Sequence, residues 1–140
     1  MANASTERPP PVERAVICLW TSVGLTLVVT GLQVFGIVPA PGAVVAAMTG
    51  VITAGLLALV ALKIARRRGW ARWLFLVLYM LGSFAFIVSL LIAPGVFVSM
   101  PTLAKGSAIL QFGLQTLALA FMFGPVSRQW FKAAHVAPAL

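Results

Sequence analysis

The chain has almost no acidic residues and few charges of any kind. Of its 140 residues only 9% are charged, with Glu7 and Glu13 as the two acids, whereas 61% are hydrophobic. A soluble domain carries about 25% charged residues, which keep its surface in water. So low a charged fraction excludes an ordinary soluble fold and predicts a chain that lies in lipid.

Histidine and cysteine are equally scarce, with one of each. A metal site, a general acid and base, or a nucleophile with its base needs at least two converging groups. His135 stands alone near the end of the chain, and Cys18 lies in an apolar run where an unreactive thiol is expected. The sequence therefore predicts no enzyme, no metal site and no cofactor.

No Asp, Glu, Lys, Arg or His lies within the long apolar runs. Proton-coupled transport and the recognition of charged substrates in membranes usually depend on such groups. Small multidrug resistance transporters also have four helices, but they work through an intramembrane carboxylate that this chain lacks. Four-helix disulfide oxidases linked to quinones need cysteine pairs, so that function is excluded as well.

What the chain has in abundance is long apolar runs. Four uncharged stretches each reach the roughly 20 residues that a helix needs to cross a hydrocarbon core of about 30 Å. Lipid offers no hydrogen-bond partners to the backbone, so continuous apolar runs indicate helices rather than a β-barrel. We predict an all-α integral membrane four-helix bundle. The predicted spans are residues 15–38, 42–62, 73–93 and 106–127, and polar cytoplasmic tails are predicted at 1–14 and 128–140.

The positive charges are distributed unevenly about these spans. If the N-terminus is cytoplasmic, every Lys and Arg except Lys105 falls on the cytoplasmic side. Basic residues are concentrated on the cytoplasmic side of membrane proteins. The sequence therefore predicts a multi-pass protein with both termini in the cytoplasm.

The densest basic segment is KIARRRGWARW, residues 63–73. A turn held so close to the bilayer offers little surface for nucleic acid, so we expect no nucleic-acid partner. Basic residues beside tryptophans indicate an anchor at the membrane interface, where anionic lipid headgroups attract Lys and Arg. SRQWFK, residues 127–132, repeats this composition. The predicted lipid-interface anchor consists of Lys63, Arg66, Arg67, Arg68, Trp70, Arg72, Trp73, Arg128, Trp130 and Lys132.

The two basic segments lie about sixty residues apart, so that Arg68 matches Arg128 and Trp70 matches Trp130. Such an offset is expected if two tandem two-helix hairpins arose by duplication. It also arises by chance in so biased a composition. The sequence leaves both alternatives open.

Polar residues form a seam on two of the predicted helices. Thr26, Thr30 and Gln33 follow helical spacing on the first, and Gln111 and Gln115 do so on the fourth. Gln33 and Gln111 are expected to face one another, since an unpaired carboxamide in hydrocarbon is costly. The seam is either a set of hydrogen bonds between helices or the lining of a path for a small solute or water.

Small residues form a stripe on the second predicted helix. They recur at every fourth position, and such stripes allow close helix packing in membranes. The stripe is expected to pack within the chain or, alternatively, against a second copy. Its members are Ala46, Gly50, Ala54 and Ala58.

Two segments resemble parts of small bacterial four-helix membrane proteins of unknown function. They are GWARW, residues 69–73, and LQFGLQTLALAFMFGPVSRQWF, residues 110–131. The resemblance implies a bacterial inner (cytoplasmic) membrane location and attaches no activity. The matching residues are Trp70, Ala71, Arg72, Trp130 and Phe131.

Two functional hypotheses follow from these features. The first is a small non-enzymatic protein that acts as an accessory, assembly or protective partner of another membrane component. The small-residue stripe and the uncharged segment 94–104, which has no charge to hold it in water, favour this hypothesis. The alternative is a small oligomeric channel or carrier for a neutral solute or water, lined by the polar seam.

Overall fold

The computed structural model describes residues 9–38, 42–66 and 68–136, and its regular elements in that part of the chain are all helices. Four of them have the length and hydropathy of membrane spans, so the predicted all-α four-helix bundle is confirmed. The helices are α1 (Pro10–Val34), α2 (Ala43–Ala65), α3 (Trp70–Ile92), α4 (Pro94–Ser99), α5 (Thr102–Phe123) and α6 (Pro125–Val136). The four spanning helices are α1, α2, α3 and α5.

The helices are shifted along the chain relative to the uncharged runs, since α1, α3 and α5 begin and end earlier than predicted and α2 ends later. α1 begins at Pro10 rather than at residue 15, because a proline fits the first turn of a helix, where its missing N–H is not needed. The turn after α1 includes Gly36 and Gly42, with φ angles of 72° and 78°. Glycine adopts this left-handed backbone without steric cost, so the chain can reverse here within a few residues.

The segment predicted as a loop after α3 contains the short helix α4. Pro94 occupies its first position. Lys105 of α5 donates a hydrogen bond to the carbonyl of Val98 at 2.8 Å, and its Nζ lies 5.8 Å from the centre of the Phe97 ring. The Lys105 side chain is thereby tied to α4, and α5 begins at Thr102 rather than at residue 106.

The chain remains helical beyond the fourth span, where a polar tail was predicted. Pro125 has no N–H to bond the carbonyl of Phe121, four residues earlier. The hydroxyl of Ser127 takes its place and donates to that carbonyl at 2.7 Å. Ser127 is fully buried, and this bond joins the end of α5 to the first turn of α6.

Spanning helices that follow one another in the chain run antiparallel. The best-packed part of the core lies at the end of the bundle where α1 begins. Val12 and Leu19 of α1, Ile64 of α2, Phe75 of α3 and Met122 of α5 are all buried in one cluster. They come from the starts of α1 and α3 and from the ends of α2 and α5. The two ends of the described chain and the basic turn between α2 and α3 therefore lie at the same end of the bundle, called here the basic end.

The two halves of the bundle are packed differently. α1 packs extensively against both α2 and α5, whereas α3 makes little contact with α5. A tandem repeat would be expected to pack its two hairpins alike. In this structure the hairpin α1–α2 is closed and the hairpin α3–α5 is open.

Large apolar side chains cover the outside of the bundle. Val28, Phe84 and Ile109 expose 60%, 67% and 67% of their surfaces, and many other large apolar residues are also exposed. Soluble monomers do not expose apolar surface on this scale. The outside of the helices is thus suited to lipid, as expected for a multi-pass membrane protein.

Candidate functional site

The buried residues of helix α3 lie in its first two turns, and the helix is sparsely packed beyond them. Ala71 and Phe75 are fully buried against the core. Further along, Leu81 and Ile87 expose 65% and 54% of their surfaces. The outer half of α3 is therefore sparsely packed, with the ring of Phe86, centred 6.1 Å from that of Phe97, as a contact to α4.

Two cavities lie along this open part of α3. One has a volume of about 370 Å³ and reaches α2, and the other has a volume of about 260 Å³ and lies against α5. They share Leu78, Tyr79, Gly82 and Gln115, so they adjoin one another along α3. We call this space the α3 groove.

The α3 groove is lined mainly by apolar side chains, with polar groups at a few points. Thr53 of α2 and Ser83 of α3 each line one of the two cavities, and Gln111 of α5 lines the smaller one. A Cβ atom added to Gly82 would meet nothing within 4 Å. The groove is therefore open at Gly82 and can accept added atoms there without a clash.

On the other side of α5, Gln111 is bound to α1. Its Nε2 donates to Oγ1 of Thr26 at 2.8 Å, and the Thr26 hydroxyl donates to the carbonyl of Ser22 at 2.9 Å. Oε1 of Gln111 and Oγ of Ser22 are buried and have no hydrogen-bond partner among the described residues. The amide of Gln111 therefore joins α1 to α5 and retains an unused acceptor.

A similar bond joins α3 to α5 beside the groove. The hydroxyls of Tyr79 and Thr116 are 2.7 Å apart, and the Thr116 hydroxyl lies 2.8 Å from the carbonyl of Phe112. Thr116 donates its one proton to that carbonyl, so Tyr79 is the donor to Thr116. Tyr79 is the one tyrosine in the chain, and this bond was not predicted from the sequence.

The expectation that Gln33 and Gln111 face one another is wrong. α1 ends at Val34, so Gln33 lies in its last turn, whereas Gln111 lies near the middle of α5. The partner of Gln111 is Thr26, about two helical turns before Gln33. Of the other members of the predicted seam, Thr30 is buried against α2 and Gln115 lines the α3 groove.

The bond from Gln111 to Thr26 is expected to contribute about 0.6–2 kcal/mol to stability, the range measured for hydrogen bonds between membrane helices. A double-mutant cycle of Thr26→Val and Gln111→Leu, followed by unfolding in mixed micelles, measures this coupling. Thr26→Val combined with Gln115→Leu is the matched control, because these two side chains do not touch. A Thr26–Gln111 coupling no larger than the control would contradict the bond.

The small-residue stripe of α2 lies against α1 at Gly50. A Cβ atom built on Gly50 would overlap the Thr30 side chain, and it would lie 2.8 Å from Cγ2 of Thr30. Ala54 is buried, and Ala58 is partly buried against the core. These three residues take part in packing within the chain, and the Ala46 side chain lies outside the described part.

The residues of the predicted lipid-interface anchor differ in their exposure in the structure. Trp70 and Trp73 are about half exposed, as suits residues at a membrane interface. Trp130 is buried, with its ring centre 5.0 Å from that of Phe131, so it departs from the prediction. Arg66, Arg68 and Arg128 are exposed, and Lys63 and Arg72 are partly buried. Arg67 and the Lys132 side chain lie outside the described part of the chain.

Arg72 lies among aromatic rings instead of reaching freely into solvent. Its guanidinium carbon is 5.3 Å from the ring centre of Phe131, 5.8 Å from that of Phe123 and 6.0 Å from that of Trp73. Each ring attracts the cation through its π face. The sequence showed the charge and the aromatic residues, but it did not show that three segments bring them together.

Comparisons with protein families, with curated proteins and with solved structures find no match to this chain. The fold and its surface by themselves define a class, a multi-pass membrane protein of four spanning helices. Within that class the α3 groove is the candidate functional site.

Proposed function

We propose that the protein is a non-enzymatic accessory subunit of a membrane assembly, and that the α3 groove takes one transmembrane helix of its partner. The observation that carries this proposal is the state of Gln115. Its side chain lines both cavities, about 4 Å along the axis from the middle of α5. Within the described residues it has no hydrogen-bond partner.

An unpaired carboxamide at this depth is costly, because hydrocarbon offers neither donors nor acceptors. A helix in the α3 groove that carries a hydroxyl or an amide at the level of Gln115 would remove this cost.

The groove also has the small residues that membrane helices use to approach one another. Gly82, Ala85 and Ser89 of α3 are all exposed, and Gly82 and Ala85 line the larger cavity. Close contact at small residues replaces the hydrophobic drive that lipid does not supply. The expected occupant is therefore an apolar helix with a small-residue face and one polar side chain near its middle.

We further propose a bacterial inner-membrane location with both termini in the cytoplasm. The support is the concentration of Lys and Arg at the basic end of the bundle, together with the positive-inside rule. A reporter fused after Leu140 should be active in the cytoplasm. Activity confined to the other side of the membrane would contradict this orientation.

Filling the groove should prevent the partner from binding. Gly82→Leu places a side chain where nothing lies within 4 Å, so the isolated fold should be preserved. We expect about a tenfold or greater loss of the partner on co-purification in mild detergent, which corresponds to about 1.4 kcal/mol of binding free energy.

The matched control is Gly113→Leu on α5. A Cβ atom there also meets nothing within 4 Å, and Gly113 lines neither cavity of the groove. Its co-purification should equal that of the unaltered protein. Equal recovery of the partner with both variants would contradict docking in the groove, and a protein recovered alone under every mild condition would contradict the accessory role.

A carrier or channel for a neutral solute is the second candidate, and the size of the groove favours it. Its larger cavity, about 370 Å³, lies within the range of about 300–1,000 Å³ that is typical of small-molecule sites. Gln115, which lines both cavities, would then bind the solute. In reconstituted vesicles Gln115→Leu should reduce the flux of water or a small neutral solute, and unchanged permeability would dispose of this candidate.

A further inference from the structure

The structure assigns a discrete binding site for one anionic phospholipid to the cavity between the first turns of α3 and α6. The cavity has a volume of about 320 Å³ and is lined by Arg72, Trp73, Phe123 and Arg128. The Trp73 and Phe123 rings meet edge to face, with centres 5.4 Å apart. This inference rests on the membrane placement and is independent of any partner in the α3 groove.

Two positive charges line this cavity without a counter-ion. Glu13 is the only carboxylate side chain in the described part of the chain, and within that part neither Arg72 nor Arg128 pairs with it. Two guanidinium groups that share a cavity repel one another, and the repulsion is strong where water is scarce. An anion held between them would convert this repulsion into attraction.

The N–H groups of Arg72 also lack acceptors. Its Nε and Nη1 are buried and form no hydrogen bond within the part of the chain that the structure describes. The aromatic rings around it attract the charge, but they offer no oxygen lone pairs to its N–H groups. A phosphate, with several oxygen atoms, is the acceptor that arginine binds with the best geometry.

The ends of two helices add to the positive potential. Arg72 lies in the first turn of α3, whose N-cap residue, Gly69, provides no side-chain hydrogen bond. Arg128 lies in the first turn of α6. The helix dipole favours an anion at such ends.

The depth of the cavity indicates the source of the phosphate. Trp73 lines it and is 55% exposed, and Trp70, one turn earlier, is 49% exposed. Tryptophans of this kind mark the level of lipid headgroups. Since a water molecule takes about 30 Å³ in the liquid, the cavity has room for a phosphate and the start of its ester chain. Basic pockets between membrane helices are typical sites for acidic phospholipids.

Lipid titration of the delipidated full-length protein tests this site. Phosphatidylglycerol, phosphatidylcholine or inorganic phosphate is added in neutral detergent, and binding is followed by native mass spectrometry and by thermal unfolding. We expect one tightly held phosphatidylglycerol per chain and a raised melting temperature. Phosphatidylcholine and inorganic phosphate should bind at least about tenfold more weakly, since only an anionic lipid combines a net charge with an apolar tail.

Two single-charge variants and a matched control locate the site. Arg128→Gln alters an exposed side chain and should leave the fold intact, and Arg72→Lys keeps the charge but removes the planar guanidinium. Each should weaken phosphatidylglycerol binding by about tenfold, the effect of losing one charged hydrogen bond. Arg66→Gln removes an exposed charge that does not line the cavity, and it should change binding by less than about twofold.

Three results would overturn the site. The first is equal loss of binding in Arg66→Gln and Arg128→Gln, which would indicate a diffuse surface attraction. The second is phosphatidylcholine bound as tightly as phosphatidylglycerol. The third is inorganic phosphate bound as tightly as phosphatidylglycerol, which would assign the cavity to a soluble anion instead of a lipid.

Discussion

Phe75→Ala is expected to lower the free energy of unfolding by about 3–5 kcal/mol, the usual cost of truncating a buried phenylalanine. Phe75 is 1% exposed and belongs to the core cluster at the basic end. Its ring and the neighbouring Ala71 are the buried residues that hold α3 to the bundle. Removing the ring leaves a cavity in the region where α3 packs against the rest of the bundle. Reversible unfolding in mixed micelles measures the change.

Phe84→Ala is the matched control, since Phe84 lies on the same helix but exposes 67% of its surface. Truncation of a lipid-facing ring leaves no internal cavity, and we expect a change of about 0.5 kcal/mol or less. Equal effects of the two substitutions would show that the packing of α3 is not concentrated in its first two turns. The description of the α3 groove as open would then be wrong.

Gly50→Leu is expected to destabilise the protein by about 3 kcal/mol, at the upper end of the usual cost of overpacking. The new side chain would begin where the Thr30 side chain already lies, and Thr30 is 7% exposed. α1 and α2 would have to separate. This separation is costly because the contact between them is among the most extensive between helices of the bundle. The same unfolding measurement reports the loss.

Gly55→Leu on the same helix supplies the control. A Cβ atom at Gly55 meets nothing within 4 Å, so the added side chain extends into lipid. The substitution also replaces glycine by a better helix former, which favours the folded state slightly. We expect no loss of stability, and a loss comparable with that of Gly50→Leu would contradict the close approach of α1 to α2.

The number and type of the spanning helices could be predicted from the sequence because lipid imposes a simple rule. A backbone in hydrocarbon must satisfy its own hydrogen bonds, so each long apolar run becomes a helix. The ends of the helices were less predictable. α2 continues past Lys63 to Ala65, and α3 begins at Trp70 before Arg72. Long basic side chains can reach the interface from within a helix. A charged residue that marks the end of an apolar run can therefore still lie inside the helix.

The contents of the candidate site could be predicted only in part. Helical spacing identified Gln111 and Gln115 as members of a polar face, but the register between α1 and α5 decided that Thr26, not Gln33, binds Gln111. Gly82 carries no chemical signal in the sequence, and its importance follows from the space around it. Contacts between distant segments determine both features, and helical periodicity does not encode such contacts.

The structure of the basic segments could likewise be predicted only in part. Their composition indicated a membrane interface, and half-exposed Trp70 and Trp73 are suited to that position. Composition did not indicate that Arg72 packs among aromatic rings or that Trp130 is buried. These positions depend on α6, which turns back on the core after Pro125 and was not predicted as a helix.

Site-specific photocrosslinking from the α3 groove in intact membranes tests the proposed function most directly. A photoreactive amino acid at position 82 would lie where Gly82 lines the groove, and the same residue at position 113 serves as the reference. We expect the probe at position 82 to form an adduct with one membrane protein that position 113 does not reach. Identical adducts from both positions, or adducts with lipid alone, would contradict a groove built to hold a partner helix.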